Sequence, residues 1–156
     1  MGFFIKTRFP IVARILFLSE ILVSAFDLSI QHKESLIDYT KILGFIIFVL
    51  GLFLYGIARF TIRKFFSEKL VIKPDHKLIT QGIYRYIRHP IYLGEILMFV
   101  SIPIIFTSFY GLIIAIILIG LLVYRIAFEE ELFLSKFGQE YIDYSSHTKK
   151  LIPFIF

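Results

Sequence analysis

Four apolar stretches, each close to the length of a bilayer crossing, leave this chain few ways to fold. They cover residues 10–28, 41–60, 90–106 and 111–128. A spanning helix needs about 20 mostly apolar residues, because each adds 1.5 Å and the hydrocarbon core is about 30 Å thick. The third stretch, at roughly 25 Å, only just reaches. A 58% hydrophobic composition and a mean hydropathy of +0.81 agree with an integral membrane protein. The expected fold is all-α: one domain, a polytopic bundle of about four transmembrane helices.

The basic residues orient that bundle. The hydrophilic stretch from Arg59 to His89 holds eight Lys/Arg, the turn at Thr107-Ser108-Phe109-Tyr110 holds none, and residues 29–40 hold only Lys33. Lys6 and Arg8 precede the first span. By the positive-inside rule both termini and the basic loop lie in the cytoplasm. Residues 61–89 and 129–156 then meet on one membrane face. A net charge of +5 with no soluble basic face gives no reason to expect a nucleic-acid partner. The absence of cysteine excludes thiol nucleophiles, thiolate metal sites and disulfides.

Within the spans, two patterns stand out. Gly44, Gly51 and Ala58 recur every seven residues, a face on which a second helix can approach closely. Glu20, Ser24 and Asp27 share one face of the first helix, either lining a pocket or, as the plainer expectation, making helix contacts or lying near the surface. A leader peptide cut at Val23-Ser24-Ala25 is the weaker reading of that segment, since Glu20 interrupts its apolar run. Pro103 is a possible kink in the third helix, and Gly138 a helix stop after Phe137. Lys73-Pro74-Asp75-His76 reads as a turn, and residues 71–83 have some extended character.

The most polar and aromatic passage, Leu78 to Gly94, ends where the third span begins. Pro90 suits a first helical turn and biases His89 out of helical dihedrals, so Arg88 and His89 should occupy a fixed loop at the membrane boundary. Arg125 and Glu129 are one turn apart on the fourth helix. They form either an intrahelical ion pair or a binding pair, with Arg125 holding a carboxylate and Glu129 accepting hydrogen bonds from a polar ligand. His89 is either an interfacial residue bonded to backbone or part of that site. Tyr84 and Tyr92 are interfacial aromatics or walls for a cationic ligand. Glu95 is a functional acid or a side chain reaching the interface. No histidine and carboxylate set has metal-ligand spacing, so no metal is expected.

Two motifs in order, H-K-L-I-T-Q-G-I-Y-x-x-x-R-H-P-x-Y-x-G from His76 to Gly94 and R-x-x-x-E-E-x-x-x-x-x-x-F-G-x-x-Y-x-x-Y from Arg125 to Tyr144, precede Ile152-Pro153. Together they resemble the isoprenylcysteine carboxyl methyltransferase family, to which phospholipid methyltransferases are close relations. The resemblance covers about residues 70–156. It implies a membrane-embedded enzyme that binds S-adenosyl-L-methionine between the loop before the third helix and the C-terminal segment. It further implies that His76, Lys77, Leu78 and Ile79 run along the cofactor, that Tyr84, His89, Pro90, Ile91 and Tyr92 line its pocket, and that Glu129 contacts it. Arg125 would face and orient the acceptor, a lipophilic small molecule or lipid-modified partner reached from the bilayer. An NADPH-dependent membrane reductase, for which Arg85 and Arg88 would serve, and a non-enzymatic membrane protein are the alternatives.

Overall fold

A computed structural model of the chain describes residues 8–31, 39–63 and 78–152. Within them lie five α-helices: α1 (Phe9–Gln31), α2 (Tyr39–Ile62), α3 (Pro90–Phe106), α4 (Phe109–Phe137) and α5 (Gln139–His147). A 3-10 turn, Gly82–Arg85, leads into α3. Among the described residues there is no strand, and the all-α expectation holds.

The seven-residue spacing on α2 has a direct structural consequence. Gly44, Gly51 and Ala58 are buried against α3. A Cβ added to Gly51 would stand 2.8 Å from the Gly94 carbonyl oxygen, and one added to Gly94 would stand 2.8 Å from the Gly51 oxygen. The two backbones therefore touch, a separation only glycine permits. Towards the other end, a Cβ at Gly44 would meet the Ile105 backbone nitrogen at 2.9 Å. The pair is antiparallel and tightly locked along its length.

α3 and α4 form a hairpin. Thr107 takes a left-handed conformation (φ 53°), and Ser108 caps α4 by accepting a hydrogen bond from the Gly111 amide at 2.9 Å. α3 remains a single helix through Pro103. α1 covers α3 and α4 on the side away from α2. Phe17 meets Phe99 with ring centroids 5.3 Å apart, and Phe9, Phe99, Ala115, Leu118 and Leu122 form the core there. Glu20 and Ser24 on α1 are fully buried. Ser24 lies so close to Gly111 that no Cβ would fit there. At these two residues the polar face of α1 is thus a packing face, the helix-contact form of the expectation rather than the surface one.

The outer surface is apolar, as lipid requires. Leu22, Phe53 and Ile116 are each 60% exposed or more. α1, α2 and α4 are long and apolar enough to cross a membrane, and α3 is a shorter apolar helix. α4 has 29 residues, roughly 43 Å at 1.5 Å each, well over the hydrocarbon thickness. Its last turns carry Glu129, Glu130 and Glu131 beyond the apolar zone, and α5 folds back beside them.

Candidate active site

Pro90 sets the geometry at the mouth of α3. His89 adopts φ −122° and ψ 55°, outside the helix, and Pro90 occupies the first turn, as the sequence implies. The chain before it, Tyr86 to His89, runs alongside Thr148 to Lys150. Arg88 N–H donates to the Lys149 carbonyl (2.8 Å), His89 N–H to the Lys150 carbonyl (3.0 Å), and Lys149 N–H to the Tyr86 carbonyl (3.2 Å). Ile87 and Lys149 form an isolated parallel bridge. Residues 148–150 thereby act as a strap across the loop.

Side chains fasten that strap. Arg88 Nε donates to Glu130 Oε1 at 2.9 Å, and Arg88 Nη1 donates to the carbonyls of Ser145 (2.9 Å) and Thr148. Lys150 Nζ lies 2.9 Å from Glu130 Oε2. Tyr144 Oη donates to the Tyr84 carbonyl at 2.7 Å, which pins α5 to the 3-10 turn. Burial pushes the Tyr144 hydroxyl up to about 12, with Arg88 opposing, and holds the Tyr84 hydroxyl above its ordinary range.

Inside the strap lies a compact polar cluster. His89 is 4% exposed, and its ring stacks on Tyr92 with centroids 5.6 Å apart and planes 24° apart. Its two nitrogens face different carboxylates: Nδ1 is 3.7 Å from Glu129 Oε2 and Nε2 is 3.4 Å from Glu130 Oε1. Arg125, also 4% exposed, donates from Nε to Tyr92 Oη at 2.9 Å. The Phe9 ring covers the guanidinium, with Cζ 4.5 Å from its centroid. Glu129 Oε2 is buried and has no hydrogen-bond partner.

Tyr84, His89, Tyr92, Arg125 and Glu129, singled out over 46 sequence positions, are therefore gathered at one end of the bundle. Pro90 and Ile91 are buried beneath them, and Ile79 packs with Tyr84, Ala58 and Ile91. Leu78 is half-buried at the start of the described loop. His76 and Lys77, the turn at 73–76 and most of the extended segment at 71–83 lie outside the described residues; the part inside, residues 78–83, contains no strand. The parallel pairing occurs at Ile87 instead. No group of His, Asp and Glu with metal-holding geometry occurs among the described residues.

Sequence reasoning missed Glu130, Lys150 and Thr148, and treated Arg88 as a possible anion receptor. The structure gives Arg88 to protein acceptors. The doubled acid at Glu129-Glu130 was the available signal, since adjacent positions on a helix point about 100° apart and can serve two different partners.

Comparison with known proteins gives consistent results. Residues 42–135 match the Isoprenylcysteine carboxyl methyltransferase (ICMT) family, more than half of the chain and a span that adds α2 to the resemblance seen from the motifs. The protein-S-isoprenylcysteine O-methyltransferase of Saccharomyces cerevisiae is 32% identical over 142 residues, 87% of this chain and 59% of that protein. Methanethiol S-methyltransferase 1 of Bradyrhizobium diazoefficiens is 39% identical over 74 residues, 47% of this chain and 25% of that protein. A solved structure of the eukaryotic intramembrane Ras methyltransferase ICMT superposes with a TM-score of 0.73 at 26% identity, covering 96% of this chain and 53% of that one. The chain thus spans little more than half the length of the isoprenylcysteine methyltransferases it matches.

Proposed function

This chain belongs to the isoprenylcysteine carboxyl methyltransferase family, and on that premise we propose that it is an integral membrane methyltransferase that uses S-adenosyl-L-methionine to methylate a lipid-borne carboxylate. The observation that carries the reading is the meeting of both sequence motifs at Tyr92. Its ring stacks on His89 of the first motif, and its hydroxyl accepts from Arg125 of the second. On the same reading the chain is one domain. Its termini and this site face the cytoplasm, since Arg59, Arg85, Arg88 and Lys149 lie at that end and the Thr107–Ser108 turn carries no charge.

The residues present fit the cofactor. Glu129 offers a buried carboxylate oxygen that makes no hydrogen bond and lies 3.7 Å from His89 Nδ1, suited to the hydroxyl or ammonium donors of a nucleoside linked to an amino acid. Tyr84, Ile79 and Ile91 supply an apolar and aromatic wall suited to a purine. When bound, the cofactor supplies a sulfonium methyl group, so that an O–CH3 bond forms as the S–CH3 bond breaks and the electron pair stays on sulfur. The protein's own task is then positioning and dryness. Arg125 orients the acceptor through its planar fork, with Tyr92 fixing the guanidinium through Nε. Leu118 and Leu122 supply apolar core on the same side of the bundle. An ionised carboxylate attacks without losing a proton, so this acceptor needs no general base. A phospholipid-like anion would use the same cation. The NADPH reading loses its main support, because Arg88 is bonded to Glu130, Ser145 and Thr148.

Calorimetry with S-adenosylhomocysteine and, separately, NADPH tests the proposal on the detergent-purified protein. Micromolar binding of the first, lost in a His89→Ala, Glu129→Ala double variant, is the expected result. Binding of NADPH alone would refute it.

A further inference from the structure

Arg125 is buried, and one ring covers its guanidinium. α2 is locked against one flank of α3 through Gly51 and Gly94. The strap at residues 148–150 lies over the loop that carries His89. On another flank α1 covers α3 and α4, and its first residue, Phe9, is 6% exposed with its ring over the Arg125 guanidinium. Phe9 begins α1 immediately after Arg8, whose carbonyl accepts the first helical bonds from Ile11 and Val12. Helix ends open locally at much lower cost than helix centres. The cover over Arg125 thus sits in the first turn of α1.

We propose that Phe9 is a gate and specificity residue: its ring covers the Arg125 guanidinium until a lipid-borne carboxylate, arriving from the bilayer, displaces it. This rests on the methyltransferase reading for the identity of the acceptor. The competition is between two kinds of partner for one cation. A ring face attracts the guanidinium through its quadrupole. A carboxylate engages the same fork with charge-assisted hydrogen bonds, the stronger interaction. Methylation reverses the outcome, because the neutral ester no longer offers an anionic pair of oxygens. Phe9 then reclaims the cation and the product is expelled towards lipid. The gate selects for anionic acceptors at binding and against esters after reaction.

The chain contains no tryptophan, so a Phe9→Trp variant carries a single indole reporter. It would be reconstituted in nanodiscs containing lipid with brominated acyl chains, which quench an indole they can reach. The probes are N-acetyl-S-farnesylcysteine and its methyl ester. The carboxylate should increase quenching and the ester should not, and an added Arg125→Ala substitution should abolish the response. In parallel, Phe9→Leu keeps apolar bulk and loses the ring. It should lower the KM for the carboxylate about fivefold, the ratio a typical cation–π contact corresponds to, with S-adenosylhomocysteine affinity unchanged. A merely structural Phe9 would instead lower kcat, cofactor affinity and melting temperature together, which would overturn the gate. Methyl transfer without any indole response would also overturn it while leaving the function intact. An indole response without methyl transfer would uphold the gate and refute the function. Neither would remove both.

Discussion

Replacing Arg88 by alanine should unfasten the strap without unfolding the bundle. The substitution removes four charge-assisted hydrogen bonds: to Glu130 Oε1, to the Ser145 carbonyl, to the Thr148 carbonyl and, at 3.4 Å, to Thr148 Oγ1. The Arg88 and Glu130 side chains are 10% and 17% exposed, so water only partly replaces what is lost. Bonds to a charged group contribute about 1.5–3 kcal/mol each, and they are not additive. Lys150 still pairs with Glu130 after the change. A loss of about 2–4 kcal/mol from strap docking follows. At about 1.4 kcal/mol per decade, opening becomes roughly 30- to 1,000-fold more frequent. Hydrogen exchange reads this directly at the amides of residues 88, 89 and 149, which bond across the strap. They should exchange faster by that factor, while amides at the Gly51–Gly94 contact keep their protection. Arg88→Lys, which keeps the charge and loses the fork, should fall between. Unchanged exchange at those three amides would refute the reasoning, and so would an equal rise throughout the helices.

Two glycine classes should separate cleanly. Gly51→Ala places a methyl group 2.8 Å from the Gly94 carbonyl and should destabilise by about 1–3 kcal/mol, whereas Gly56→Ala and Gly120→Ala, with nothing within 4 Å, should be near neutral in thermal melts. Arg125→Ala should lower turnover by 10-fold or more, of the order of one lost charged contact, with S-adenosylhomocysteine affinity retained. Glu129→Gln should do the reverse, and calorimetry beside steady-state kinetics distinguishes them. Alkaline pH should release α5. Burial raises the Tyr144 hydroxyl to about 12. Its contribution is therefore complete below the ordinary tyrosine value near 10 and lost as pH rises through 10 to 12. Tyr144→Phe should flatten that part of the profile in circular dichroism or strap exchange.

The helices were legible because their signals are local. Apolar length marks the spans, the seven-residue recurrence of Gly44, Gly51 and Ala58 marks the α2–α3 contact, and His89-Pro90 marks the mouth of α3. The strap was not legible, because its partners lie about 60 residues apart and a two-residue parallel pairing has no period of its own. Phe9 was hidden for a different reason. One phenylalanine among 19 in an oily chain carries no sequence signal, and its importance arises only from what lies under its ring. Glu20 and Ser24 stood out as a polar face, but sequence alone did not separate a surface from a buried packing contact.

α4 explains how one helix serves the apolar surface, the buried polar cluster and the strap together. Arg125 and Glu129, one turn apart, face the bundle interior, where Tyr92 bonds the first and the second keeps a buried oxygen that makes no hydrogen bond. Glu130, about 100° further round, faces Arg88 and Lys150 at the strap. His89 touches both acids, one with each ring nitrogen. A shift of the strap therefore moves Glu130 and, through His89, disturbs the Glu129 side of the site. Anything bound at Glu129 should in turn favour the closed strap. The coupling is reciprocal by linkage, so S-adenosylhomocysteine should slow exchange at residues 88, 89 and 149 in the wild type and to a smaller extent in Arg88→Ala. Equal protection in both would mean that Glu130 and Glu129 act independently despite sharing His89.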